Sequence, residues 1–156
     1  MHNLLKHTKK IFGTIILSLI MVFSGSLANA ELSVEDIIKS RKALFSKNYS
    51  AAKRVQSFSS NGDFDEAIEL MKEMNENYLT LLDLFPENSK EGFKTEALPI
   101  IWEEKDAFNA LMQKSADDMI KLTSIIEDAD DIRGTLGKLM WANCKACHSK
   151  YRKPHQ

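Results

Sequence analysis

Five consecutive residues hold most of the chemistry in this chain: Cys144-Lys145-Ala146-Cys147-His148. The sequence has 2 cysteines, and both are here. C-x-x-C-H is the spacing by which a protein attaches a c-type haem. Positions i and i+3 share a helix face, so two thiols three apart can reach the two vinyl groups of one porphyrin. The adjacent histidine then offers an imidazole nitrogen to the iron, and neutral imidazole is a common proximal ligand. Other chemistries use parts of the pattern. A redox C-x-x-C opens a helix beside a βαβ unit, and no strand-like alternation is visible. A structural zinc takes four ligands, and only three are local. A Cys144–Cys147 disulfide suits an oxidising compartment but leaves His148 without a part. His155, in a basic tail near the C-terminus, reads as solvated.

The elements that must position these residues read as helices. Gly (6) and Pro (3) are scarce, while Ala, Leu, Lys, Glu, Met and Ile are common. Ser33-Val34-Glu35-Asp36 resembles a capping box and starts a first helix predicted to reach about Phe58, with Ile37, Ile38, Leu44, Phe45, Ala52 and Val55 on its apolar face. Ser59 to Asp63 reads as a break. In the second helix Phe64, Ile68, Met71, Tyr78, Leu82 and Phe85 form one stripe, interrupted only at Asn75. Pro86 opens the longest irregular stretch, which runs to about Leu98. Pro99 suits the first turn of a third helix, whose inner face is Ile101, Phe108, Met112, Met119, Leu122 and Ile126. Asp128 to Asp131 supplies the next break. Ile132, Leu136, Leu139 and Met140 then lead a fourth helix into the cysteines. The predicted fold is all-α, an antiparallel up-down-up-down four-helix bundle with a covalent haem at its C-terminal end.

Two regions lie outside that bundle or bound its partners. Residues 1–30 carry Lys6, Lys9 and Lys10 and no acid, then an apolar run from Ile11 to Phe23, then Ala28-Asn29-Ala30. That is the pattern of a cleaved signal peptide. The apolar run falls short of the roughly 20 residues that span a bilayer. The mature domain is therefore taken as 31–156, exported to the periplasm and released from the membrane once cleaved. Cleavage lowers Lys+Arg from 21 to 18 against 22 Asp and Glu, a net charge of −4. An acidic chain without a basic cluster does not suit nucleic acid.

The C-terminal Cys144-Lys145-Ala146-Cys147-His148, with Tyr151-Arg152 after it, resembles the cytochrome c-prime family, the class II c-type cytochromes. Glu35-Asp36 leading to Arg41 is similar to the family's first helix, and Pro99-Ile100-Ile101-Trp102 with Phe108 to the start of its third. The resemblance implies one haem c, with Cys144 and Cys147 forming the thioethers and His148 as the iron ligand. It places Arg152 on the proximal face beside that histidine. It gives Arg41 the neutralisation of a haem propionate, with Lys42 touching the haem where the family often has Gln. It sets Glu96 near the haem edge, and it implies a homodimer paired through first helices. Here Lys47 and Asn48 are polar where that helix is usually apolar, which leaves Tyr49 and Val55 for a contact surface.

Within the family, the residue four after the first-helix Arg faces the sixth position of the iron. A Met there ligates and carries electrons; an apolar side chain leaves the position open. Counting from Arg41 gives Phe45, which has no donor atom. The resemblance thus implies a five-coordinate, high-spin haem that takes nitric oxide and CO at an apolar distal site gated by Phe45. The alternative is a low-spin or mixed-spin periplasmic electron carrier, with Met71 as the sixth ligand and a redox partner the sequence does not name. No distal His, acid or base is placed for turnover, so the reading is not an enzyme.

Overall fold

The computed structural model describes residues 32–154; the expected signal peptide and His155 lie outside the described residues. Ser33 caps helix α1 (Val34–Asn61) by accepting from the Asp36 backbone N–H at 3.1 Å, and its hydroxyl donates to the Asp36 carboxylate at 2.6 Å. The helix runs three residues past the predicted end at Phe58. Ser59 stays helical and buried, and the chain turns only at Gly62, where φ is +85°. A residue with a Cβ would be strained there.

Helix α2 (Phe64–Leu81) stops short of the predicted end at Phe85. Leu82, Asp83 and Leu84 continue in tighter turns, donating to the carbonyls three residues back. Met71, Tyr78 and Phe85 of the predicted stripe are buried, but the helix's buried face also takes in Ala67, Leu70, Met74, Asn77 and Leu81. Phe64, Ile68 and Leu82 are only partly buried along its margin.

A short helix α3 (Ile100–Glu103) is followed by the long α4 (Lys105–Ile125). Glu104 breaks them apart with φ −117° and ψ 44°. The predicted inner face of this region is buried as expected, from Ile101 through Phe108, Met112, Met119 and Leu122 to Ile126. The last antiparallel segment is composite: α5 (Ile132–Leu136), a π-helical turn over Gly137–Trp141, then α6 (Ala142–Tyr151). Asp131 caps α5, its carboxylate accepting from the Gly134 N–H at 2.8 Å. Together these segments make the expected four-helix bundle, with α1, α2, α4 and the α5–α6 segment as its members. Among the described residues no helix is long and apolar enough to cross a membrane.

The segment between Pro86 and Pro99 is tied down by a single buried cation. Arg41, 2% exposed, reaches from α1 into it. Its guanidinium donates to Ser89 Oγ and Ser89 O at 3.0 Å each and to Thr95 Oγ1 at 2.6 Å. It lies over the Phe85 ring at 4.7 Å. Burial lowers this group to about 10, so it stays positive at neutral pH. The far end of the segment meets the C-terminus. Leu98 N–H donates to Tyr151 O at 3.0 Å, and Lys153 N–H to Glu96 O at 2.8 Å.

Removing this fork orphans several buried acceptors at once. Arg41→Ala is expected to destabilise the bundle by about 3 kcal/mol and to lower Tm by roughly 10 °C. Arg41→Lys, which keeps the charge but loses the planar fork, should recover only part of that. Thermal unfolding followed by circular dichroism tests this. Unchanged melting of Arg41→Ala would refute the assignment.

Candidate haem site

The π turn settles how α6 presents its side chains. Ile132, Leu136 and Met140 are four apart in succession, a spacing that drifts off one face of a 3.6-residue helix. The wider turn at 137–141 absorbs the drift, so Leu136 (1% exposed) and Met140 (0%) both stay in the core. After it, Asn143, Cys144, Cys147 and His148 all line one cavity of about 290 Å³.

The remaining walls come from three helices. Helix α1 gives Phe45, Asn48 and Tyr49, α2 gives Tyr78, and α4 gives Phe108, Leu111, Met112 and Ser115. Trp141 closes one side, its ring edge-on to Tyr49 at 6.4 Å. Phe45 is partly buried and meets Phe85 edge-on, also at 6.4 Å. The lining is mainly aromatic and aliphatic but not wholly so: Asn48, Ser115 and Asn143 put polar groups on it.

Asn143 also seats α6 against α4. Its Nδ2 donates to buried Asp118 Oδ2 at 2.7 Å and to Leu139 O at 2.8 Å. Lys114 Nζ pairs with the same Asp118 carboxylate and reaches Asn143 Oδ1 at 3.2 Å. At the end of α6, Lys150 pairs with Glu104 at the α3–α4 break. These bonds fix the helix that carries the thiols.

Cys144 and Cys147 stand as free thiols. Burial pushes Cys144 up despite a hydrogen bond from Tyr78. Burial, then the nearby Cys144, pushes Cys147 up to about 11, with Arg152 opposing. Raised in this way, both resist ionising to the thiolates that a metal ion would take as ligands. Among the described residues, no group of three or more His, Cys, Asp or Glu could hold a metal ion by itself. The donor set and cavity therefore fit a haem: two thiols three apart, an imidazole beside them, and an apolar recess.

The other sequence-predicted residues, Phe45 apart, are not among the residues that line this recess. Arg41 binds the 84–95 segment. Lys42 is exposed and donates to Lys94 O at 3.4 Å. Glu96 and Arg152 pair with each other, the Arg152 Nε at 2.7 Å and its terminal nitrogen at 2.6 Å from Glu96 Oε2. Met71 is fully buried in the core and is not among the lining residues, whereas Met112 is. Two expectations for the outer surface also change. Asn48 is buried in the cavity wall, 4% exposed, and Val55 is fully buried, while Tyr49 is 54% exposed. For Val55 the helical period is right, since it places this residue on the apolar face, and it is the contact surface implied by the resemblance that the burial removes. Asn48 pairs across to Asn77.

Comparison with known proteins agrees with this geometry. The family model described as Cytochrome C' matches residues 36–152. The chain is 32% identical over 120 residues to a cytochrome c′ of Rhodopseudomonas palustris, covering 75% of this chain and 82% of that one. It superimposes on the crystal structure of cytochrome c′ from Rhodopseudomonas palustris with a TM-score of 0.70 at 30% identity, covering 78% of this chain and 98% of that one. Cytochrome c′ from Rubrivivax gelatinosus gives a TM-score of 0.65 at 25% identity, covering 77% and 97%. With C-x-x-C-H on the wall of a bundle cavity and these matches across the bundle, the chain belongs to the cytochrome c′ family, whose cofactor is a covalently bound haem c.

Proposed function

We propose that this is a periplasmic haem protein that binds nitric oxide and CO at a five-coordinate iron, with Phe45 over the open position. The observation that carries this reading is Phe45 itself, an aromatic ring without a donor atom on the wall of the cavity that holds the thiols and His148. Haem c supplies an iron centre able to bind a diatomic ligand or to take up an electron. Cys144 and Cys147 anchor it, and His148 holds the iron from one side. Phe45 excludes water and must swing aside to admit a ligand. Arg41 shapes the 84–95 segment at the haem periphery, where Lys42 and the Glu96–Arg152 pair present their charges. Residues 1–30 serve as the export signal, ahead of a mature domain of 31–156. The role is binding rather than turnover. Pairing of two copies through α1 would rest on Tyr49.

A fold neighbour, a mutant of cytochrome c prime from Alcaligenes xylosoxidans, has been solved as a nitric oxide complex. At 23% identity that likeness speaks for the fold alone. The second reading, an electron carrier, is favoured by one observation: the Met112 side chain reaches the cavity. A thioether ligand to the iron would come from there rather than from Met71.

The absorption spectrum of the reduced protein separates the two. Broad, unsplit visible bands that change with CO and NO are expected. Sharp split bands indifferent to both gases would establish the carrier reading, and Met112→Leu should then open the site. Phe45→Ala should speed CO association by on the order of tenfold or more, the removal of about 1.4 kcal/mol of gating, and Phe45→Met should move the ferric haem toward low spin. An unchanged association rate, or a fully high-spin Phe45→Met protein, would count against Phe45. Cys144→Ser with Cys147→Ser should abolish haem staining on a denaturing gel, while each single variant keeps one thioether. Haem retained covalently by the double variant would refute the attachment.

A further inference from the structure

The α1 wall of the cavity carries one polar group with no partner. Asn48 lies one helical turn after Phe45, so the two share a face. Its side chain is 4% exposed. Its Oδ1 accepts from Asn77 Nδ2 at 2.8 Å, which leaves the Nδ2 hydrogens pointing elsewhere. That Nδ2 is buried and has no hydrogen-bond partner. Among the described residues, Ser59 Oγ and Asn109 Oδ1 share this condition, but neither residue lines the cavity. Leaving a buried donor unsatisfied is costly. Such a group in a binding recess is most simply held for a ligand that is present only when the recess is filled.

We infer that Asn48 is the hydrogen-bond donor to a diatomic ligand held beside Phe45 in this cavity. This rests on the gas-binding reading and refines its chemistry. An amide N–H favours ligands whose outer atom gains negative charge, so dioxygen and nitric oxide gain more than CO. Asn77 is a positioning residue: its bond to Oδ1 holds the carboxamide so that the N–H side is turned away from it. The Tyr78 hydroxyl is the rival group, as an acceptor for the Asn48 N–H and as a donor to the ligand, because it lines the same cavity and interacts with both Asn48 and Cys144.

Vibrational spectra of the ferrous CO complex of the holoprotein test the assignment. Donation to the ligand lowers the C–O stretch. Asn48→Val is therefore expected to raise that stretch and to speed CO dissociation about 3- to 10-fold, while Tyr78→Phe changes neither. In wild-type and Tyr78→Phe protein, transfer from H₂O to D₂O should shift the iron–ligand modes, because the donated proton exchanges. An unmoved stretch in Asn48→Val, or a shift produced by Tyr78→Phe instead, would overturn the inference and leave gas binding intact. If Asn48→Val fails to accumulate with haem, the isotope measurement on Tyr78→Phe decides, and no shift there overturns it. A wild-type protein that does not take up CO at all would overturn the gas-binding reading, and this inference with it.

Discussion

A bundle that keeps a recess between its helices gives up, around that recess, the apolar contacts that would otherwise set helix spacing. Apolar burial is strong but non-directional. Around this cavity the spacing is held by directional bonds between polar side chains that the helices bury together. Asn48 meets Asn77 between α1 and α2, and Asn75 donates to Ala116 O between α2 and α4. Asp118 and Asn143 lock α4 to α6. Arg41 ties α1 to the segment that follows α2. Each clamp lies beside apolar neighbours that exclude water, which raises both its strength and the penalty for breaking it.

The candidate haem-attachment residues stand out in the sequence because the chemistry they imply is local: three residues within five positions define it. The helices were legible for a related reason, since the α4 face from Phe108 to Ile126 repeats at the helical period throughout. What the sequence concealed depends on neighbours distant in the chain. Arg41 reads as a partner for a haem propionate, and its hydrogen bonds to residues 84–95 lie too far along the chain for the sequence to reveal. Asn48 reads only as a polar departure on an otherwise apolar stretch until Asn77 of α2 pairs with it. The π turn left a trace in three apolar residues spaced by four and in two glycines, Gly134 and Gly137, although no period-3.6 reading would weigh it. The end of α2 was misplaced because Leu84 and Phe85 remain buried after the helix has stopped, so hydrophobicity outlasts helicity.

Two side chains state the functional question in physical terms. Phe45 offers the cavity a surface that cannot donate an electron pair, and Met112 offers one that can. Which of them stands over the iron decides whether the protein exchanges ligands or only electrons. Membership of the family leaves both open, since fold and cofactor are common to both behaviours. Behind Phe108, which lines the recess, lies an aromatic cluster with Phe85, Trp102 and Tyr151: Phe85 and Phe108 are 4.7 Å apart and Phe108 and Tyr151 5.1 Å, both edge-on. Phe45 joins that cluster through Phe85 but is itself only partly buried.

The burial of the two thiols bears on the order of events during assembly. In the closed bundle both sulfurs are hydrogen-bearing at neutral pH and sit partly buried on the cavity wall. An attachment machinery that must grip the C-x-x-C-H stretch and align it with a porphyrin edge needs that stretch open. Covalent attachment is then best completed while α6 is still unpacked, with closure of the bundle following. Asp118, Lys114 and Glu104, which seat α6, would act as a latch that engages once the cofactor is aboard. The same latch would shield a chain that had closed empty from later loading.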